Sequence, residues 1–196
     1  MKIAKLALPI VCLCTLSACG TKTTKQGFLD AANKVEEHKY KKITIKYLYE
    51  ENDNKEESEC TYNLQNDEYV AEKNDFNNNY LLYFAIDEVA KNVDIDETTF
   101  DSFKSTAKSY DENAKISCNI TYYIKPFKIV GKFKASYNKD ENFGEIKADL
   151  KYEFNKYGYA TYLEATQTRI SKINENGFKK VTEKTTTSKV TLTYKD

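Results

Sequence analysis

Residues 115–137, KISCNITYYIKPFKIVGKFKASY, decide the fold. Ile116, Cys118, Ile120, Tyr122 and Ile124 stand at alternate positions, and after Pro126 the alternation resumes through Phe127, Ile129, Gly131, Phe133, Ala135 and Tyr137. A period of two puts each set on one face of an extended chain, which is the pattern of a half-buried strand. Pro126 has no amide hydrogen to give to a ladder, so it belongs to an edge, a bulge or the turn between the two runs. Beyond a loop at Asn138–Gly144 the alternation continues through Ile146, Ala148, Leu150, Tyr152 and Phe154. Asn155-Lys156-Tyr157-Gly158 then turns into a strand through Tyr159, Leu163 and Ala165. Asn176-Gly177 is the strongest hairpin signal in the chain, because both residue types tolerate the positive φ that a tight hairpin requires. A closing strand runs from Phe178 to Tyr194, with a polar centre at Thr185, Thr186 and Thr187.

Upstream the period changes. Phe28, Ala31/Ala32 and Val35 recur at three and four residues, with Asp30, Lys34, Glu36 and Glu37 facing away, so an amphipathic helix is expected over Gly27–His38. His38, the single histidine, falls at its C-terminal end, where a positive ring would favour the helix dipole. A catalytic role for it would need a strained serine turn nearby, and none is present. Lys42–Glu50 alternates again, with Ile43, Ile45, Tyr47 and Tyr49 on one face; Glu51–Glu59 reads as an acidic turn, and Cys60–Leu64 and Glu68–Glu72 as short strands joined across Asn66-Asp67. Tyr80–Val93 and Thr98–Tyr110, the latter with Phe100, Phe103, Ala107 and Tyr110 at helical spacing, read as a two-segment helical insertion. The acids between them, Asp94, Asp96, Glu97 and Asp101, lack the central glycine and the twelfth-position glutamate of a calcium loop; a helix N-terminus capped by Asp96 or Thr98 accounts for them. The count is seven to nine antiparallel strands with few helices, an α+β class, in one domain spanning residues 27–196.

Composition narrows the function. The chain of 196 residues carries 30 basic and 30 acidic side chains, and without residues 1–18, which hold Lys2 and Lys5, it would stand near −2. A domain with no basic excess lacks the electrostatic footprint of a nucleic-acid binder. Arg169 is the lone arginine, which leaves little scope for bidentate recognition of phosphate or carboxylate. Sixteen tyrosines and ten phenylalanines, with no tryptophan, suit half-buried strands whose hydroxyls reach water. No nucleophile elbow, Walker loop, dinucleotide fingerprint or zincin helix occurs, nothing marks a pair of carboxylates for glycoside hydrolysis, and no cofactor or metal ligand set is expected. The expectation is a protein that is not an enzyme. Cys60 and Cys118 lie on inward strand faces, as an inter-strand disulfide or as two small buried thiols.

The N-terminus carries a separate message. Lys2 and Lys5 precede an apolar run over Leu6–Leu16, too short for a stable bilayer span, which closes on Leu16-Ser17-Ala18-Cys19-Gly20. This ending resembles the lipobox of bacterial lipoproteins. The resemblance implies a diacylglyceryl group on the Cys19 thiol, cleavage just before it, a signal peptide at 1–18 and a lipidated tether at 19–26, the polar Gly20–Gln26. It also implies a lipid-anchored place on the cell membrane, facing outside the cytoplasm. In the mature chain, the order of helix, long first strand, short meander, helical insertion and long antiparallel strands resembles the LolA/LprG-type lipoproteins. That resemblance implies a curved, half-barrel-like sheet packed on the helices, with a cavity for acyl chains. Its candidate lining is Ile120, Tyr122, Phe133, Leu150 and Tyr152. The expected function is therefore a cell-envelope binding module for lipid or another hydrophobic ligand. The alternative is a surface-exposed interaction protein or adhesin with a fully packed core, meeting a protein partner through its tyrosines. Two acyl chains give lasting attachment where one is marginal. Cys19→Ser is accordingly expected to leave an unprocessed precursor that no longer partitions into the detergent phase; processing and membrane retention equal to wild type would falsify the lipobox reading.

Overall fold

Among the described residues the chain forms one open antiparallel sheet of nine strands, curved over two helices. The computed structural model describes residues 20–75, 89–139, 142–175 and 178–196. In chain order the elements are β1 (Thr21–Thr23), α1 (Lys25–Ala32), β2 (Lys42–Glu51), β3 (Asn54–Gln65), β4 (Glu68–Asn74), a 3₁₀ turn (Glu97–Phe100) and α2 (Asp101–Tyr110). There follow β5 (Lys115–Ile124), β6 (Lys128–Lys139), β7 (Asn142–Phe154), β8 (Ala160–Glu175) and β9 (Phe178–Lys195). The spatial order β1-β5-β6-β7-β8-β9-β2-β3-β4 is two local meanders, β2–β4 and β5–β9, joined where β2 lies beside β9.

The five strands expected after Lys115 are all present, and Pro126 sits in the β5–β6 turn, after a cis peptide bond. Asn66 and Asp67 both take positive φ in the β3–β4 turn. Asn176-Gly177 lies outside the described residues, although Glu175 and Phe178 on either side are paired.

Three expectations change. Glu51–Glu59 is not a loop: β3 begins at Asn54, leaving Asn52-Asp53 as the turn. Its acids meet lysines, Glu59 lying 3.3 Å from Lys46 on β2 and 3.6 Å from Lys73 on β4 while Glu57 pairs with Lys55 along β3 itself, so an acidic run became strand through charge pairing rather than burial. The tether at Gly20–Gln26 is largely taken up by structure. Thr21–Thr23 pairs with Tyr122–Ile124 on β5, and the Thr24 hydroxyl caps α1 by accepting from the Gly27 amide at 3.1 Å. The helix expected to reach His38 therefore starts earlier and ends at Ala32. The first insertion segment, Tyr80–Val93, falls mostly outside the described residues; its described end is a bridge from Val89 to Tyr159 and a turn. The second segment is the 3₁₀ turn and α2, and Asp96 is its cap in a capping box with Thr99.

The inner face follows from register. Tyr122, Ile129, Tyr152, Leu163, Val190 and Tyr47 are successive cross-strand neighbours from β5 to β2. Ile43, Ile45, Cys60 and Tyr62 from β2 and β3 share one core cluster with Tyr122 and Ile129, although these strands are four to six places apart in the sheet. The sheet must curl for both wings to reach the same interior. Phe28 on α1 fills that interior, with ring centroids 5.8 Å from Tyr122, 5.5 Å from Phe127 and 6.0 Å from Phe154. A second cluster gathers Phe100, Ala107, Phe133, Ala135, Ile146 and Ala148 under α2. Gly131 is required there, because a Cβ at that position would stand 2.9 Å from the Phe100 ring.

Cys60 and Cys118 are free thiols, one in each cluster's neighbourhood, so the disulfide alternative gives way to two separate thiols. The outer face is polar. Thr166 meets Thr187 at 3.3 Å and Thr168 meets Thr185 at 3.1 Å, which places two of the three threonines at the centre of β9 in a ladder on this outer face. Phe28→Ala is expected to cost about 3–5 kcal/mol in urea unfolding, because the site is enclosed by three other rings and cannot collapse. A loss under about 1 kcal/mol would show that the sheet closes without α1.

Candidate functional site

An open apolar cleft of about 670 Å³ lies between α1 and the β5–β6 turn. Three segments build it. Helical spacing brings Gly27, Ala31, Lys34 and Val35 to one side of α1 and the turn after it; Ile124, Lys125, Pro126 and Phe127 form the opposite wall; and Phe154, Asn155 and Lys156 close the end. The last two walls are tied together, since the Phe154 amide donates to the Phe127 carbonyl at 3.0 Å. Gly20, the first described residue, borders the same wall, as a Cβ on it would lie 3.3 Å from the Pro126 carbonyl oxygen.

The five residues expected to line an acyl cavity are distributed differently. Tyr122 and Phe133 are buried in the two core clusters. The Tyr122 hydroxyl donates to the Ile95 carbonyl, and the Phe133 ring stacks on Phe100 at 5.7 Å. Ile120 and Leu150 pack between the clusters, and Tyr152 stacks on Phe154 at 6.2 Å. Of the five, Leu150 borders a smaller hollow of about 230 Å³, with Phe100, Phe103, Ala148 and Gln167. These side chains share a face, as their alternation implies, but α1 and α2 fill the space before them. The cleft instead uses Ile124, Phe127 and Phe154, the ends of the same alternating runs. Their signal in the sequence is the apolar side chain on each side of a turn, at Ile124, Phe127 and Phe154.

His38 is not at a helix end. Its ring stacks on Tyr157 at 4.3 Å, meets Tyr40 edge-on at 4.4 Å, and its Nε2 lies 2.6 Å from Asp196 Oδ1. Around it the tyrosine hydroxyls tie segments together. Tyr159 donates to the His38 carbonyl at 2.6 Å, Tyr69 to the Tyr40 carbonyl at 2.8 Å, and Tyr194 to the Ala160 carbonyl at 2.8 Å. Burial pushes the Tyr194 and Tyr69 hydroxyls up from their ordinary values, so they stay protonated donors. The nearby turn depends on Gly158, whose φ of +78° favours glycine, and on the Asn155 carboxamide oxygen, which accepts from the Tyr157 and Tyr159 amides. This cluster fastens residues 33–41, which have no regular structure, to the sheet, and it holds no nucleophile beside the histidine.

Among the described residues no group of three His, Cys, Asp or Glu side chains converges as a metal site. The acids at 94–96 serve packing instead: Lys25 at the start of α1 reaches Asp94 at 2.5 Å and Asp96 at 3.2 Å. No family model, curated protein or solved structure matches the chain.

Asp96 is held down to about 2, first by the Thr98 hydroxyl, then by the Thr98 amide and by Lys25. A depressed carboxylate stabilises the fold above its ordinary value near 4 and ceases to do so as pH falls through 2. Wild type is therefore expected to exceed Asp96→Asn in stability at pH 6, with the gap narrowing as pH drops from about 4 towards 2. Parallel urea midpoints across that window check it, and a gap independent of pH would remove the carboxylate from the account.

Proposed function

We propose that the chain is a cell-envelope lipoprotein, anchored to the membrane through lipid on Cys19, whose folded domain is a non-enzymatic binding module for a hydrophobic ligand. The observation that carries this reading is the cleft between α1 and the β5–β6 turn. At about 670 Å³ it falls within the size range of small-molecule sites, and it is floored by Ala31, Val35, Ile124, Phe127 and Phe154. Its wall at Pro126 borders Gly20, so an anchor at Cys19 would hold the cleft beside the lipid. The ligand site is accordingly placed at the edge of the domain, and the concave interior serves as core. The interaction-protein alternative draws less support: among the described residues the exposed large apolar side chains are Val70, Tyr110 and Val181, on three separate elements, and many tyrosines are engaged inward.

The test is native mass spectrometry of the full lipidated protein isolated in detergent-free lipid discs. Wild type is expected to retain an apolar adduct under collisional activation, and Ala31→Trp, which fills the cleft from α1, is expected to lose it while keeping its circular dichroism. Wild type without any adduct would overturn the reading.

A further inference from the structure

The rim of the cleft is charged where its floor is apolar. Lys34 after α1, Lys125 in the β5–β6 turn and Lys156 after β7 all line it and are all exposed, against one acid, Asp30. Asp30 is engaged along its helix, its Oδ1 accepting from Gln26 Nε2 at 2.8 Å. Lys156 lies over the Tyr157 ring, 4.7 Å from its centroid. Among the described residues Lys34 and Lys125 have no ion-pair partner, whereas Lys25, Lys42, Lys46 and Lys91 are each paired with a carboxylate. Three lysines from three different segments thus converge on one opening, in a protein whose charges balance overall.

A wholly neutral ligand would gain from the floor alone and leave these ammonium groups to water. An anionic head would gain charge-assisted hydrogen bonds at the same place. Lysine presents a rotatable point charge rather than a planar fork, so it accepts carboxylate and phosphate alike. We infer that the cleft binds a single-chain anionic amphiphile, with its tail against Ile124, Phe127 and Phe154 and its carboxylate or phosphate under Lys34, Lys125 and Lys156. This rests on the hydrophobic-ligand reading above and adds the chemistry of the head.

Photo-crosslinking of the full lipidated protein in native membrane vesicles tests it, using diazirine-labelled palmitate, the matching monoacylglycerol phosphate, and the neutral methyl ester of the palmitate probe. Labelled peptides are mapped by mass spectrometry. At least one anionic probe is expected to label residues 124–127 and 31–35 roughly tenfold more than the ester, and the stronger of the two identifies the head group. The triple variant Lys34→Gln, Lys125→Gln, Lys156→Gln alters exposed side chains and is expected to reduce anionic labelling to the ester's level with circular dichroism unchanged. Equal labelling of these peptides by all three probes overturns the anionic head while leaving a hydrophobic site in place. Labelling of these peptides by none overturns both.

Discussion

A curved sheet has one concave face, and the described helices available to cover it are short: eight residues in α1 and ten in α2. Much of the interior follows from that shortage. Where α1 lies, the inner row reads Tyr122, Ile129, Tyr152 and Leu163; where α2 lies, it reads Phe133, Ala135, Ile146 and Ala148. Further along β8 and β9 the same face carries Gln167, Arg169, Thr186 and Lys184, in register with Ala148 and Ile146. Hydrophobic burial is proportional to area removed from water, so apolar residues are retained where a helix can remove it and give way to polar ones elsewhere.

The cleft has the same origin. α1 ends at Ala32, and residues 33–41 are drawn away towards the tyrosines, fixed through the His38 and Tyr40 carbonyls. Val35 and Lys34 are thereby left facing the β5–β6 turn across open space instead of packing on it. A helix continuing to His38 with the expected stripe would have covered that turn. The cleft is thus a product of the helix stopping early, and the histidine that invites a catalytic reading contributes by holding the chain aside.

What was legible in the sequence was what depends on local period. Ile116 to Phe154 alternates without interruption except at turns, and β5, β6 and β7 follow it. The start of β3 was hidden because Asn54–Glu57 is exposed on both faces of a hairpin, where no apolar alternation is needed, and because the lysines that meet Glu59, Lys46 and Lys73, lie on other strands and do not announce themselves. β1 was hidden for a related reason: Thr21–Thr23 has no pattern of its own and is ordered by the open edge of β5. Asp96 was legible as a cap because capping is local. The expected cavity lining identified the correct face but not what fills it, since period tells which side chains point inward and says nothing of whether Phe28, Phe100 or a ligand meets them.

The seam between β2 and β9 has a consequence in time. Within each meander, neighbouring strands are joined by turns, so each can zip from its own hairpins. β2 must wait for β9, which pairs with it along Lys42–Glu51 and is the last strand of the chain. Contacts so distant in sequence form slowly, because the entropy of closing the intervening chain is lost before they return anything. Until Lys195 is available the two wings cannot merge, and Ile43, Ile45 and Tyr62 have no completed interior to enter. A sheet built this way keeps its two wings apart until β9 has formed its ladder with β2, so its interior closes in one late step rather than strand by strand.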